Sequence, residues 1–95
     1  MATSAALRLE STVAFLEGDL ILDNAVMLLA ESRKALKCGI CTFDLSQTGH
    51  MDSSAISLLL GIRRSAESAG QTIALQAVPE SLKSLATLYG VAEYL

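Results

Sequence analysis

Residues 40–70 read ICTFDLSQTGHMDSSAISLLLGIRRSAESAG, and the change of hydrophobic period inside this stretch decides the fold. Ile40 to Leu45 reads as a mostly buried strand, and the polar run Ser46 to His50 is expected to carry the chain out of the sheet as a loop. A helix begins at Asp52 or Ser53 and is closed by Gly70. At 3.6 residues per turn, Ala55, Leu58, Leu59, Ile62, Ala66 and Ala69 fall within one arc of about 100 degrees, which is the expected core face. Ser53, Ser57, Leu60, Gly61, Arg64 and Glu67 lie opposite, with Ile56 at the margin. Ile56 and Leu60, one turn apart beside Gly61, are therefore predicted to face water and to offer another chain a close approach. The plain alternative is that the first helix or the C-terminal tail covers them.

Outward from this segment, the N-terminal side offers two short strands, Ala6 to Glu10 and Thr12 to Leu16, before a turn-like Glu17-Gly18-Asp19. After Leu20-Ile21-Leu22, Asp23 or Asn24 is expected to cap a helix whose apolar members Ala25, Leu28, Leu29 and Leu36 fall on one side and which ends at Gly39. On the C-terminal side, Thr72 to Val78 alternates as a strand, and Pro79 suits the first turn of a third helix. Leu82, Leu85, Ala86 and Tyr89 supply that helix with an apolar stripe, Gly90 stops it, and Val91 to Leu95 follow as an apolar tail. Strands separated by helices join most simply as parallel neighbours through right-handed crossovers. The expectation is an α/β sandwich whose mixed, mostly parallel sheet has four to five strands with helices packed on it. In such sheets, partners and ligands meet the loop at a strand's carboxyl end, here predicted to be Ser46 to Ser54.

The chain has 95 residues, 52% of them apolar and 18% charged, which argues for one domain over residues 1–95 and a compact core without a deep chamber. Its net charge of −3 repels phosphate backbones, so nucleic acid is not an expected partner. The longest apolar run, Ala25 to Ala30, has six residues, far short of the roughly 20 that a membrane-spanning helix needs, so no direct membrane insertion is expected. Met1 to Arg8 lacks a basic segment followed by a sustained apolar one, so no secretory signal is read and residence in the cytoplasm is expected.

The groups able to do chemistry are few. Cys38 and Cys41 have the spacing of a redox pair or half a zinc site, but they lead into a strand, and His50 is the one further obvious ligand. They read as buried or strand-edge free thiols. His50, Asp52 and Ser53 carry the letters of a hydrolase triad yet sit too close in sequence to align in series. Neither a dinucleotide-binding glycine pattern nor a P-loop occurs. An enzyme is not expected, nor a metal or cofactor. Asp52 and Ser53 have two readings: they satisfy the orphan N–H groups of a helix start, or they present an exposed hydroxyl where a phosphoryl group gains from the helix dipole and adds roughly 1.5 to 2 negative charges.

Gly18-Asp19-Leu20, Phe43-Asp44-Leu45-Ser46 and above all His50-Met51-Asp52-Ser53-Ser54-Ala55 before a Leu-rich helix resemble the STAS domain superfamily. Leu75-Gln76-Ala77-Val78 and Leu85-Ala86-Thr87-Leu88-Tyr89 resemble its MlaB branch, the STAS subunits of phospholipid-transporting ABC systems that maintain outer-membrane lipid asymmetry. The resemblance implies a non-catalytic subunit that docks on the cytoplasmic ATPase of an ABC transporter and is peripheral to the inner membrane through that complex. Partner contacts are then expected at Asp52, Ser53, Ser54, Ile56, Ser57, Leu60 and Arg64, with the third helix contributing and Ile56 and Leu60 available for a homodimer in isolation. The chain also resembles anti-sigma-factor antagonists, which implies phosphorylation of Ser53 by a partner kinase, the anti-sigma factor. Antagonists usually place glycine after the second serine, where this chain has Ala55, a methyl expected near the contact. A third class is a small-ligand carrier using the groove beneath the Ser46 to Asp52 loop.

Overall fold

A computed structural model describes residues 5–95; residues 1–4, part of the stretch read for a signal segment, lie outside the described residues. Strands β1 (Ala5–Glu10) and β2 (Val13–Leu20) form an antiparallel hairpin. Helix α1 (Leu22–Lys37) then crosses to β3 (Thr42–Met51), and α2 (Ser53–Ser68) crosses to the short β4 (Ala74–Gln76). Helix α3 (Glu80–Leu88) and a single 3-10 turn at Ala92–Tyr94 follow. The sheet order is β1-β2-β3-β4, parallel from β2 onward. Two successive right-handed crossovers in one direction place both helices on one face of a sheet, and α1 and α2 do touch each other here.

Alternation along the strands divides the sheet into two faces. Ala14, Leu16, Phe43 and Leu45 are buried towards the helices, where Leu28, Leu36, Leu58 and Ile62 meet them. Val13, Phe15, Glu17, Thr42 and Asp44 on the opposite face are only half-buried. There the Arg8 guanidinium lies 4.5 Å from the centre of the Phe15 ring and is held by Glu17 and Glu10, which raise its pKa above the ordinary value.

The expected elements are present, with corrected bounds. Glu17-Gly18-Asp19 is not a turn: β2 runs through it to Leu20, accommodated by two register irregularities and by Gly18 at φ 90°. Ser46 to His50 does not leave the sheet: β3 continues to Met51, pairing Gln47 with Glu17 and Met51 with Leu20. Backbone pairing requires no apolar side chains, so this half of the strand looks like a loop in sequence. The Ser46 to Ser54 loop accordingly shrinks to Asp52, and β3 passes into α2 almost without a connection.

Helix α1 begins at Leu22 behind Ile21, not behind Asp23 or Asn24, because the Asn24 side chain is buried and donates to Asp19 O at 2.9 Å. The Thr72 to Val78 strand reduces to three residues, cut short by Ala77 at φ 52°. Pro79 caps α3 from outside its first turn.

Each helix ends in the same motif. At Gly39, φ 83°, its N–H donates to Leu36 O and that of Ile40 to Ala35 O, and the equivalent bond pairs recur at Gly70 and Gly90. Cys38 precedes this stop as the exposed C-cap of α1, rather than sitting buried or at a strand edge, and Cys41 is half-buried; both are free thiols.

Candidate functional site

The carboxyl ends of β2 and β3 and the starts of α1 and α2 lie at one end of the sheet, because the two strands are parallel neighbours. Asp19 ties them together. Its carboxylate accepts the His50 N–H at 2.8 Å, its carbonyl accepts from Asn24, and Asp52 N–H donates to Leu20 O at 3.3 Å. Gly49 is required alongside, since a Cβ there would overlap Asp19 Oδ1. His50 therefore contributes its backbone N–H to the scaffold.

On this platform Asp52 caps α2, its Oδ1 accepting the Ser54 N–H at 2.8 Å. Ser53 is the first helical residue and is exposed, with the positive end of the helix dipole behind it. Of the two readings of the Asp52-Ser53 pair, capping thus belongs to Asp52, and the Ser53 hydroxyl is left facing solvent. Ala55 is completely buried, so its methyl joins the core rather than standing near the Ser53 surface.

The rest of the predicted contact set divides. Asp52, Ser53, Ser57 and Arg64 are exposed, and Ser54 and Leu60 are half-buried. Ile56 is only 6% exposed and belongs to the core, which corrects its expected place at the water-facing margin. The reason is that α2 is flanked on both sides. On the wheel Ile56 falls near Arg63, whose guanidinium donates to Tyr94 O at 2.6 Å and holds the C-terminal segment along that flank. On the other flank α1 fills the expected gap at Gly61, where a Cβ would sit 3.2 Å from Leu29 Cδ1. Ala69, expected in the core, is exposed beyond the last buried turn, as is Tyr89 at the end of α3.

Sequence reasoning missed an apolar strip that faces water at the same end of the fold as Ser53; Leu88 and Tyr89 are also exposed, at the end of α3. Leu22 and Val26, one turn apart on α1, are 70% and 80% exposed, and Met27 is 41% exposed. The signal was available: a helix starting at Leu22 puts Leu22, Val26, Leu29 and Arg33 along one strip. Assigning the cap to Asp23 or Asn24 removed Leu22 from the wheel. The resulting face joins an exposed hydroxyl at the start of α2 to an aliphatic pair at the start of α1, an arrangement suited to gripping another protein.

A protein-family model described as "Mlab, STAS domain" matches residues 4–95. No curated protein matches the chain in sequence. Among solved structures, the unphosphorylated anti-sigma factor antagonist SpoIIAA is 21% identical, with 90% of this chain and 83% of that one aligned at a TM-score of 0.66. The phosphorylated form of SpoIIAA, described as a Bacillus cell-fate determinant, is 18% identical, with 96% and 87% covered and a TM-score of 0.66. A Thermotoga maritima protein described as a putative anti-sigma factor antagonist is 20% identical, with 94% and 80% covered and a TM-score of 0.70.

Proposed function

Because the chain belongs to the STAS domain family, in its MlaB-type branch, we propose that it is a non-catalytic subunit that binds and regulates the ATPase of an ABC transporter serving phospholipid transport and outer-membrane lipid asymmetry. The observation that carries this reading is the exposed pair Leu22 and Val26 on the same end of the fold as Ser53. Such a surface supports protein docking, and the MlaB-type match over residues 4–95 supports an ATPase as its occupant. Among the described residues no helix is long and apolar enough to cross a membrane. In this reading the chain works in the cytoplasm and reaches the inner membrane through the transporter. The contact set becomes Asp52, Ser53, Ser54, Ser57, Leu60 and Arg64 with Leu22 and Val26 added and Ile56 acting from beneath. An isolated homodimer, if formed, would use Leu22 and Val26 in place of Ile56.

Co-expression of the tagged chain with the ATPase and permease from the same organism tests this. The expected result is a retained complex, reduced roughly 30-fold or more by Ser53→Arg or Val26→Asp, with the melting temperature of each variant within about 4 °C of the parent. Undiminished complex with both variants would remove this face from the model.

The second reading is an anti-sigma-factor antagonist switched at Ser53. It is favoured by the exposure of that hydroxyl at a positive helix end and by the likeness of fold to SpoIIAA. Capture of a serine kinase instead of an ATPase, with phosphate found on Ser53, decides for it.

A further inference from the structure

The chain carries seven Lys and Arg residues. Among the described residues, Arg8, Lys34 and Lys83 pair with carboxylates, and Arg63 is occupied by the Tyr94 carbonyl. Arg33, Lys37 and Arg64 have no described carboxylate within ion-pair distance, and all three border one feature: the furrow between α1 and α2, which runs from Ser57, one turn beyond Ser53, to the far end of α2. Two contiguous hollows of ≈ 510 and ≈ 460 Å³ make up this furrow and share Arg33, Ser65 and Ser68. None of the described residues lining either is acidic.

Apolar surface comes from half-buried Leu29 and exposed Ala69, with buried Leu36 forming the floor, while Gly61 lets α1 and α2 approach closely. Arg33 is held across the furrow by donating to Ser65 Oγ at 3.0 Å, which fixes its charge in place before any ligand arrives. In a chain of net charge −3, cations would be expected to find carboxylates first, so three left over on a single furrow form a local field of opposite sign to the whole.

We propose that this furrow binds an acidic amphipathic segment of a partner protein, its aliphatic side chains on Leu29 and Ala69 and its carboxylates on Arg64, Arg33 and Lys37. The cations are strung along the helices instead of converging on one point, which matches charges distributed over a peptide better than a single phosphate. Ser57 and Arg64 border both this furrow and the proposed docking face, while Arg33, Lys37 and Ala69 belong to the furrow alone, and the inference does not require the transporter reading.

The test titrates the ¹⁵N-labelled chain with a synthetic helical peptide bearing Leu along one face and Glu on its flanks. Saturable amide shifts are expected at Gly61, Ser65, Ser68 and Ala69, with affinity reduced at least 10-fold by Arg33→Glu combined with Lys37→Glu. Replacing the peptide's Glu residues by Gln is expected to give the same loss, and Val26→Asp to leave binding unchanged. Equal affinity for the charge-reversed variant, shifts centred on Ser53, or the same shifts produced by inorganic phosphate or phosphatidylglycerol vesicles while the peptide gives none, would each overturn the proposal. Loss of the ATPase complex on Val26→Asp with peptide binding intact separates this site from the docking face.

Discussion

Ile56→Asp is expected to destabilise the chain by about 4 kcal/mol or more, because it forces a carboxylate into a position that is 6% exposed. A domain of this size has roughly 5 to 14 kcal/mol in total, so the variant should melt some 15 to 30 °C lower or fail to fold. Val26→Asp makes the same chemical change at an 80% exposed site and should cost no more than about 0.5 kcal/mol. Thermal melts of the two variants, followed by circular dichroism, make the comparison directly. A mild Ile56→Asp would mean that this side chain faces water after all, and the docking face would have to be redrawn around α2 alone.

Gly49→Val carries the second large effect, about 3 kcal/mol. The added side chain overlaps Asp19 Oδ1, and that carboxylate is 8% exposed and already accepts the His50 N–H. To make room, Asp19 must release the bond, leaving the strand-end N–H of His50 poorly satisfied. The mechanism has a signature in a double-mutant cycle. Gly49→Ala and Asp19→Ala should each destabilise, but together they should be better than additive by about 1 kcal/mol, since removing the carboxylate also removes the overlap. Strict additivity in denaturant titrations would show that Gly49 serves some other end.

These two positions also mark where reading the sequence stopped working. The helix wheel identified Ala55, Leu58, Leu59, Ile62 and Ala66 as core because they face the sheet, the direction that the α/β pattern supplies. It misplaced Ile56 because burial there depends on lateral neighbours, the Arg63 to Tyr94 tether and α3, which periodicity does not encode. Phe43 and Leu45 announced the first half of β3, whereas Gln47 and Thr48 belong to the strand through pairing with β2, a non-local property. Ser53 was recognisable because a helix start needs specific residue types, and the structure separates its exposed hydroxyl from the capping carboxylate of Asp52. Leu22 was overlooked through an error of two or three residues in one helix boundary, and without it Val26 had no exposed aliphatic neighbour one turn away to mark a strip. The role of Asn24 in anchoring Asp19 O instead of capping α1 is the tertiary fact behind that error.

The brevity of β4 has a dynamic consequence. Three ladder positions attach it to β3, while residues beyond it are held mainly by Leu82 and Ala86 in the core and by the Arg63 bond to Tyr94. The last fifth of the chain is therefore the natural unit of partial opening, able to swing away while the β2–β3 centre stays intact. In native-state deuterium exchange its amides should lose protection together, several kcal/mol before those of Ala14 and Phe43. Each such excursion would uncover Ile56, giving the molecule a transient greasy flank that the closed form conceals.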